Sequence, residues 1–370
     1  MNLLFYAPQM AAYGGMERHV CSLAAAAART GHRVRLLTTS NSLGPDLRAD
    51  LHHPAITLRE LPATRGQAGK LAKLRWLIGE VALARDQAWD VIYTNGQGAL
   101  AQLVWQAGRE QARRIHHHHT AADAGEQATW SFAFRHLLGR SPELVACSEA
   151  TRDALGSAVY RNDVRYLPYL TRRPVVPAAV HERRRAHELH FGFLGRLIPE
   201  KGIDALCRLS TDPALEGITW HLHGAGPAYP PGAFARWPRI VAHGAYAGAA
   251  AHAHALLALD AVVLFSIHNE GMPLSLIEAM SAGLPWIATD RGGTRELALS
   301  PADCLVVPHP ATDEDLRTAV VTLAARLRTG VTSRQNQLRI YEEYFAPAVV
   351  SAAWLRFLHS SQTTGDVALS

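Results

Sequence analysis

Two glutamates eight positions apart, Glu270 and Glu278, stand in the segment of this sequence that is best suited to chemistry. The segment follows an apolar run at residues 261–265, and Pro273 and Gly283 occupy the positions where a helix would start and stop. Along a continuous helix, positions eight apart are separated by about 12 Å, so the two carboxylates could address opposite ends of one extended ligand. Two solvated glutamates on a surface helix are the alternative.

The start of the same helix is a candidate anion site. In open α/β sheets, ligands bind at the carboxyl ends of the strands, and free backbone amides at a helix N-terminus there suit a phosphate group. Apolar neighbours of Glu278 indicate a partly buried helix, so its carboxylate needs a partner such as ribose hydroxyls. The candidate phosphate contacts are Gly271, Met272, Pro273 and Leu274.

A second strand, turn and helix pattern supplies fixed positive charge. The apolar run 191–194 leads into a glycine turn, which lets the backbone approach a ligand closely, and Arg196 and Lys201 follow. Such cations could meet a diphosphate where no metal does so. The alternative is a surface role, in which the two side chains pair with Glu200 or Asp204.

Paired glycines, Gly14 and Gly15, open a helix beneath a candidate ligand, although a tight turn alone would also need them. A dinucleotide site is disfavoured because GxGxxG is absent and the second strand, ending near Ser40, carries no acidic residue for a ribose. A Walker phosphate loop is absent too, since the stretch 66–70 has the wrong spacing and no hydroxyl residue after its lysine.

Four consecutive histidines, residues 116–119, end a predicted strand. Strand alternation would send His116 and His118 to one face and His117 and His119 to the other. Adjacent histidines on a strand converge poorly on one ion, so no metal site is expected here. His119, which is last in the run and nearest the sheet edge, is the preferred sugar contact. A structural role stays open for the other three.

The candidate site residues described above lie at the ends of short apolar runs, and these runs alternate with helical stretches. The predicted strands of the first half are 3–6, 34–38, 91–94, 114–117, 144–147 and 164–167. Those of the second half are 189–194, 219–223, 261–265, 285–288 and 305–307. A proline-rich, basic stretch that includes residues 183–185 predicts a linker. The alternation predicts two α/β lobes with mostly parallel sheets and a cleft between them.

The composition excludes several classes of function. A chain of 370 residues exceeds what one hydrophobic core usually supports, which favours two domains. The net charge of +5 suits anionic ligands, but no zinc-finger, RNP or basic-helix pattern accompanies it, so we expect no nucleic-acid partner. Four widely spaced cysteines without CxxC pairing argue against a disulfide framework and a structural zinc.

The expected location is the cytoplasm. The sequence contains no run of 18 or more apolar residues that could span a bilayer. The start of the chain lacks a basic n-region, so a signal peptide is not expected. The basic, amphipathic stretch 70–78 either covers a sheet or lies on an anionic surface, which would place the protein peripherally on the inner face of a membrane.

A C-terminal helix is predicted over residues 337–359, and its aromatic side chains need a surface to bury against. The helix either completes the second lobe or crosses back onto the first. The aromatic residues are Tyr341, Tyr344, Phe345, Trp354 and Phe357.

Together these motifs resemble the retaining glycosyltransferases of the GT-B fold, often called group 1 or family 4, along nearly the whole chain. The family's E-x7-E element is matched by Glu270 and Glu278, followed by Gly-Leu-Pro at 283–285 and Gly-Gly-Thr-Arg-Glu at 292–296. One departure is Tyr169, because the interdomain strand of the family usually ends in Pro-Asn-Gly and here reads Pro-Tyr-Leu.

The resemblance implies a role for each of the catalytic candidates. Glu278 would bind the nucleotide ribose, and Glu270 would lie near the donor sugar. Arg196 and Lys201 would hold the diphosphate. His119 would be the family's strand-end histidine, which lies near the transferred sugar.

The resemblance also implies the fold: two Rossmann-like α/β domains facing a central cleft, with a C-terminal helix that crosses back to the N-terminal domain. Residues 1–172 would form the acceptor domain, together with the crossing helix at about 340–370. Residues 173–339 would form the nucleotide-sugar donor domain. Gly14 and Gly15 would approach the donor from the first lobe.

The implied activity is transfer of a sugar from a nucleotide diphosphate carrier to a glycan or lipid-linked acceptor, with retention of configuration and without a metal or other cofactor. The resemblance favours front-face attack, in which the acceptor hydroxyl enters on the side that the diphosphate leaves. The alternatives are a sugar-nucleotide epimerase or a phosphorylase on the same two lobes, and a non-catalytic protein that binds sugar nucleotide.

Overall fold

The computed structural model describes residues 1–8, 10–11, 14–62, 69–173, 188–246 and 248–360. Three predicted features lie outside these residues: the basic linker run at 183–185, most of the glycine-rich stretch 66–70, and the range 361–370 at the end of the predicted crossing helix. The described residues form two α/β lobes, each built on its own parallel sheet.

Seven parallel strands form the first sheet, in the order β3-β2-β1-β4-β5-β6-β7. The strands are β1 (Asn2–Tyr6), β2 (Arg33–Thr38), β3 (Ile56–Glu60), β4 (Val91–Asn95), β5 (Arg113–His118), β6 (Glu143–Ala146) and β7 (Arg165–Tyr166). The α-helices are α1 (Gly15–Arg29), α2 (Pro45–Asp50), α3 (Lys70–Ala84), α4 (Leu100–Trp105), α5 (Ala124–Thr129), α6 (Phe132–Arg140) and α7 (Glu149–Val159). The strand order reverses at β1, so α1 starts at the switch point where such sheets bind ligands.

Six parallel strands form the second sheet, in the order β10-β9-β8-β11-β12-β13. They are β8 (Leu189–Leu194), β9 (Ile218–His223), β10 (Ile240–Gly244), β11 (Ala261–Leu264), β12 (Trp286–Thr289) and β13 (Cys304–Val307). The α-helices are α8 (Ile203–Leu209), α9 (Gly248–Leu257), α10 (Leu274–Ser281), α11 (Asp313–Thr329), α12 (Arg334–Tyr344) and α13 (Pro347–His359). Here the order reverses between β8 and β11, the strands that precede the predicted cations and acids.

The structure confirms the position of each predicted strand and adds two that were not predicted. β3 and β10 lie at the outer edges of the sheets, and their partly exposed residues hide them from a search for apolar runs. The strand predicted at 164–167 shortens to the two residues of β7. The helix predicted over 337–359 is wrong as a single element, because it breaks at Phe345 and Ala346 before Pro347 starts α13.

The last helix crosses back onto the first lobe, as the family resemblance implies. Trp354 of α13 is fully buried in the first-lobe core, and its indole N–H donates to the carbonyl of Pro168 at 2.8 Å. Tyr341 of α12 remains in the second-lobe core, whereas Tyr344 stays about half exposed. The chain therefore changes lobe between α12 and α13.

Candidate functional site

The carboxyl ends of the two sheets face each other across a cleft of about 1880 Å³. All eleven candidate residues line this cleft. Those of the first lobe are Gly14, Gly15 and His119. Those of the second lobe are Arg196, Lys201, Glu270, Gly271, Met272, Pro273, Leu274 and Glu278. Side chains from distant parts of the sequence can thus reach one shared ligand.

Lys201 and Glu270 form an ion pair inside the cleft. Lys201 Nζ lies 2.6 and 2.7 Å from the two carboxylate oxygens of Glu270, and the Ser266 hydroxyl donates to the same carboxylate. Burial raises the pKa of Glu270, but the charges of Lys201 and His268 outweigh it, so the pKa lies below its ordinary value. The carboxylate is therefore ionised at neutral pH although it is buried.

Glu278 is buried in α10 and is held from two directions. The Arg18 guanidinium reaches it from α1 of the first lobe, and His252 Nε2 of α9 lies 3.2 Å from its other oxygen. Burial acts to raise the pKa of Glu278, but Arg18 and His252 bring it down to about 2. The ring of Tyr246, which lines the cleft, stacks on His252 at 4.8 Å. A contact between lobes thus occupies the carboxylate predicted to bind a ribose.

Arg196 differs from Lys201 in being exposed. Among the described residues its guanidinium has no ion-pair partner, so the surface pairing considered for both cations does not form. Lys201 ends a short 3-10 turn, and Gly202 follows with φ of 74°. A Cβ on Gly202 would lie 2.0 Å from the Phe265 carbonyl oxygen, so the close packing that positions Lys201 requires glycine there.

The loop before α10 passes very close to the first lobe. A Cβ on Gly271 would lie 2.8 Å from the carbonyl oxygen of His119 and 2.9 Å from Cys147 Sγ. Pro273 occupies the capping position of α10, and no side chain caps the amides that begin with Leu274. The N-terminal end of the helix, with its partial positive charge, therefore faces the cleft.

The glycine pair of the first lobe meets the same helix from the opposite side. Gly14 precedes α1 with an extended backbone, and Gly15 is the first residue of the helix. A Cβ on Gly15 would lie 2.9 Å from Cδ1 of Leu274. The starts of α1 and α10 therefore approach each other across the cleft.

The histidine run alternates between the two faces of the first sheet, as predicted. His116 and His118 lie near Phe134 on one face, and the other two rings pack around His19 on the opposite face. Both His118 and His119 line the cleft; His119 was the preferred sugar contact, and the role of His118 was left open. The two earlier histidines are buried.

His119 is oriented by the residue that departs from the family pattern. Its Nδ1 lies 3.0 Å from the Tyr169 hydroxyl, which in turn donates to the carbonyl oxygen of His119 at 2.9 Å. Burial and neighbouring imidazoles hold the pKa of His119 well below its ordinary value, so the ring is neutral at pH 7. A tyrosine in place of the usual asparagine thus fixes the position of a neutral imidazole.

Sequence reasoning missed several charged or titratable residues of the cleft. Arg18 closes the Gly-Gly-Met-Glu-Arg segment, so its position next to the glycine pair was an available signal. No signal in the sequence pointed to Glu126. Its carboxylate accepts a hydrogen bond from Thr120 and lies 3.0 Å from His118 Nε2. Burial acts to raise the pKa of Glu126, but His118 and Thr120 help to lower it to about 2.

Both lobes match models of known protein families. Residues 14–170 match a glycosyl transferase 4-like domain, and residues 188–326 match the glycosyl transferases of group 1. A GDP-mannose-dependent alpha-mannosyltransferase of Mycobacterium tuberculosis is 30% identical over 218 residues, which cover 57% of this chain and 56% of that protein. The match therefore spans just over half the length of that relative.

Solved structures share the fold over almost the full chain. HepE of Anabaena, crystallised with UDP and glucose, is 20% identical with a TM-score of 0.76, covering 98% of this chain and all of that one. Sucrose-phosphate synthase of Thermosynechococcus elongatus is 20% identical with a TM-score of 0.78, covering 96% of this chain and 98% of its own. These similarities confirm the predicted fold of two facing α/β lobes.

Proposed function

This chain belongs to the group 1 glycosyltransferases, and from that premise we propose that it transfers a hexosyl group from a nucleotide diphosphate sugar to a glycan or lipid-linked acceptor. The observation that carries this proposal is the arrangement of Glu270, Lys201, Arg196 and Glu278 around one cleft, facing a neutral histidine of the other lobe. We further propose that transfer retains the configuration of the sugar and uses no metal or other cofactor.

The second lobe, residues 173–339, would hold the donor. Arg196 is exposed in the cleft without an ion-pair partner among the described residues, so it is available to a diphosphate. Lys201 and the uncapped amides at the start of α10 would add positive potential where negative charge develops on the leaving group. These fixed groups would stabilise the departing nucleoside diphosphate without a divalent ion.

The two glutamates would serve different parts of the donor. Glu278 is ionised and already bound by Arg18 and His252, so ribose hydroxyls could donate to it in place of, or beside, these partners. Glu270 would lie near the sugar, with Lys201 keeping it charged. Contacts made by Arg18 between the lobes would then respond to donor binding.

The first lobe, residues 1–172 with the crossing helix, would hold the acceptor. His119 directly follows β5, and its backbone carbonyl oxygen lies so close to Gly271 that a Cβ there would meet it at 2.8 Å. Because its imidazole is neutral, it can hydrogen-bond a sugar hydroxyl without adding charge. The acceptor hydroxyl would attack from the side on which the diphosphate leaves, as the family resemblance favours.

The donor can be identified by thermal stability. Binding to the folded state raises the melting temperature by mass action, so purified protein should respond to one sugar nucleotide among UDP, GDP and ADP sugars. GDP-mannose and UDP-glucose come first, because relatives are named or crystallised with them. NMR of the product should then show the anomeric configuration of the donor. An inverted product would contradict retention, and turnover that is lost in EDTA and restored by Mg²⁺ or Mn²⁺ but not by Zn²⁺ would contradict metal independence of the transfer step.

The same assays separate the rival functions. An epimerase converts the donor sugar without an acceptor, and a phosphorylase requires free phosphate. A protein that only binds sugar nucleotide shifts its melting temperature but forms no product. Acceptor-dependent release of nucleoside diphosphate is the outcome expected of a transferase.

We propose that α3 brings the protein to the inner face of an anionic membrane. Leu71, Ile78 and Leu83 are exposed on this helix, and Lys70 and Lys73 beside them line the cleft. Among the described helices, none is long and apolar enough to cross a bilayer. Such a surface would deliver a lipid-linked acceptor to the cleft from a peripherally bound, cytoplasmic enzyme.

Liposome sedimentation tests the membrane proposal. Wild-type protein should sediment with anionic vesicles but not with neutral ones, and Leu71→Ser combined with Ile78→Ser should weaken this binding. Val321→Ser removes a comparably exposed residue of α11 and serves as the control. Equal sedimentation of wild type and the α3 variant would contradict the proposed surface.

A further inference from the structure

Three histidines converge on one face of the second sheet, among residues that do not line the cleft. His221 and His223 are two apart in β9, so their side chains leave the same face of the strand. His243 lies in the neighbouring edge strand β10, where the register shifts between Ala242 and Gly244. The rings of His223 and His243 stack at 4.1 Å, and those of His221 and His243 lie 5.2 Å apart.

The ring nitrogens of these histidines are close enough to bind one ion. One nitrogen of each residue lies within 4.8 Å of those of the other two, and His221 Nδ1 is 2.9 Å from His243 Nε2. In a tetrahedral site with zinc to nitrogen distances of about 2.0–2.1 Å, ligand nitrogens are about 3.3 Å apart. Small side-chain rotations would therefore bring all three into a coordination sphere.

Two further observations point to an ion rather than to ordinary packing. His223 is 6% exposed, and its Nε2 is buried with no hydrogen-bond partner among the described residues, which is costly for a polar atom. His190 of β8 also supports the group, because its Nδ1 lies 2.8 Å from Nε2 of His221. If His221 binds metal through Nδ1, its Nε2–H donates to His190, which is the usual outer hydrogen bond of a metal-binding histidine.

We propose that His221, His223 and His243 bind one divalent transition metal ion of the zinc class. Imidazole nitrogens suit Zn²⁺, Ni²⁺ and Cu²⁺. His243 is exposed, so water can supply the fourth ligand. The ion would join edge strand β10 to β9 and steady the loop that follows His223, in which Gly224 and Ala225 line the cleft. Its role is structural, and it stands independently of the proposed transfer reaction.

The histidine run of β5 shows why this group was not predicted. Neighbouring histidines in that run alternate between faces, and those sharing a face pack against aromatic rings. The second-lobe group needs the pairing of β9 with β10, and β10 carries no apolar pattern from which that pairing could be predicted.

Zinc titration calorimetry on the full, tag-free chain after dialysis against a chelator tests the proposal. We expect one Zn²⁺ per chain and a rise in melting temperature on binding. His243→Gln should weaken binding at least tenfold, because the ligand is lost, and His190→Gln should weaken it by about 10- to 100-fold through the outer hydrogen bond. His136→Gln changes an exposed histidine of α6 and should leave binding intact.

A second readout guards against misfolding. Circular dichroism without metal should be the same for His243→Gln as for wild type, since the residue is exposed. Co²⁺ in place of Zn²⁺ should give the visible spectrum of a four-coordinate site in wild type only. Absence of stoichiometric Zn²⁺ binding, or equal affinity and equal thermal stabilisation in wild type and a folded His243→Gln, would overturn the proposal.

Discussion

Two polar regions face the same cleft, one at the end of β5 in the first lobe and one in the loop after β11 in the second lobe. The first region holds an uncharged side chain, and the second holds an ionised one. At β5, burial keeps His119 neutral, and it is held by hydrogen bonds. After β11, Glu270 stays ionised although buried, because Lys201 lies against it. A charge can be buried only when it is paired, whereas an imidazole can instead be buried uncharged. The second lobe is therefore suited to an anion and the first to neutral hydroxyls.

The largest effect should come from removing Lys201, the cation that is paired with the buried Glu270. Lys201→Met should lower kcat by about 100- to 1000-fold, the range seen when one group that stabilises a developing charge is lost. It should also destabilise the fold by about 3–5 kcal/mol, because the Glu270 charge loses its partner. Both are measured with the identified donor, by steady-state kinetics and denaturant unfolding.

The double variant Lys201→Met with Glu270→Gln separates these two effects. Stability should return because no unpaired charge remains, while turnover should stay low. Arg208→Met, which breaks a surface pair with Asp313 in the same lobe, should leave both quantities nearly unchanged. Recovery of turnover in the double variant would contradict a direct role for the Lys201 charge.

Glu278→Gln should act on donor binding more than on the chemical step. A neutral amide accepts more weakly from ribose hydroxyls and from Arg18, so we expect the donor KM to rise about 10- to 100-fold with a smaller change in kcat. Glu314→Gln, at an exposed acid of α11, is the control. A fall in kcat alone, with donor KM unchanged, would be inconsistent with the ribose assignment.

The stabilising effect of Glu278 should depend on pH in a defined window. Its pKa falls from 4.5 to about 2 on folding, so its contribution is complete above the unfolded value and is lost as the pH drops toward 2. The difference in unfolding free energy between wild type and Glu278→Gln should therefore shrink as the pH falls below about 5. Denaturant unfolding at several pH values measures it, and a difference that grew in acid would have the wrong sign.

For the neutral His119 of the first lobe we expect a smaller effect on turnover. His119→Gln should lower kcat about tenfold, which corresponds to one lost hydrogen bond of about 1.4 kcal/mol. Because the pKa of His119 lies well below its ordinary value, the ratio of wild-type to variant rates should be flat between pH 6 and pH 8. His136→Gln is the matched control. A ratio that titrates near pH 6.5 would mean that the ring gains a proton during turnover.

The smallest effect on turnover is expected at the contact between Gly15 of the first lobe and Leu274 of the second. In Gly15→Ala the new methyl would meet Cδ1 of Leu274 at 2.9 Å, but this atom ends a flexible side chain and can move aside. We expect a two- to fivefold loss of kcat/KM, equivalent to about 0.4–1 kcal/mol, and rescue by adding Leu274→Ala. Gly79→Ala, with no atom within 4 Å of its new methyl, is the control. A loss beyond a hundredfold would show that the contact is rigid.

The fold and the second-lobe site were largely predictable because short-range signals define them. Glu270 and Lys201 each follow an apolar run, and the ends of parallel strands meet at one sheet edge, so their approach follows from local pattern alone. The edge strands could not be predicted in the same way, since β3 and β10 are partly exposed and carry no such run.

Contacts across the cleft depend on how the lobes dock, which no local pattern describes. Arg18 reaches Glu278 from α1 of the first lobe, and although its place near the glycine pair was an available signal, its partner could not be read from the sequence. His252 reaches the same carboxylate from α9 within the second lobe, and α9 carries no motif that indicates this contact. Tyr169 was recognised as a departure from the family, but its hydrogen bonds to His119 required coordinates. Pro347 could have indicated the break between α12 and α13, but the helical periodicity on both sides of it suggested one continuous helix.

The return of the chain to the first lobe through α13 has a mechanical consequence. The chain joins the lobes twice, once between residues 173 and 188 and again between Tyr344 and Pro347. After the second connection, Trp354 of α13 donates a hydrogen bond to the Pro168 carbonyl in the first lobe. The lobes therefore cannot separate fully unless α13 leaves the first-lobe core, in which Trp354 is buried.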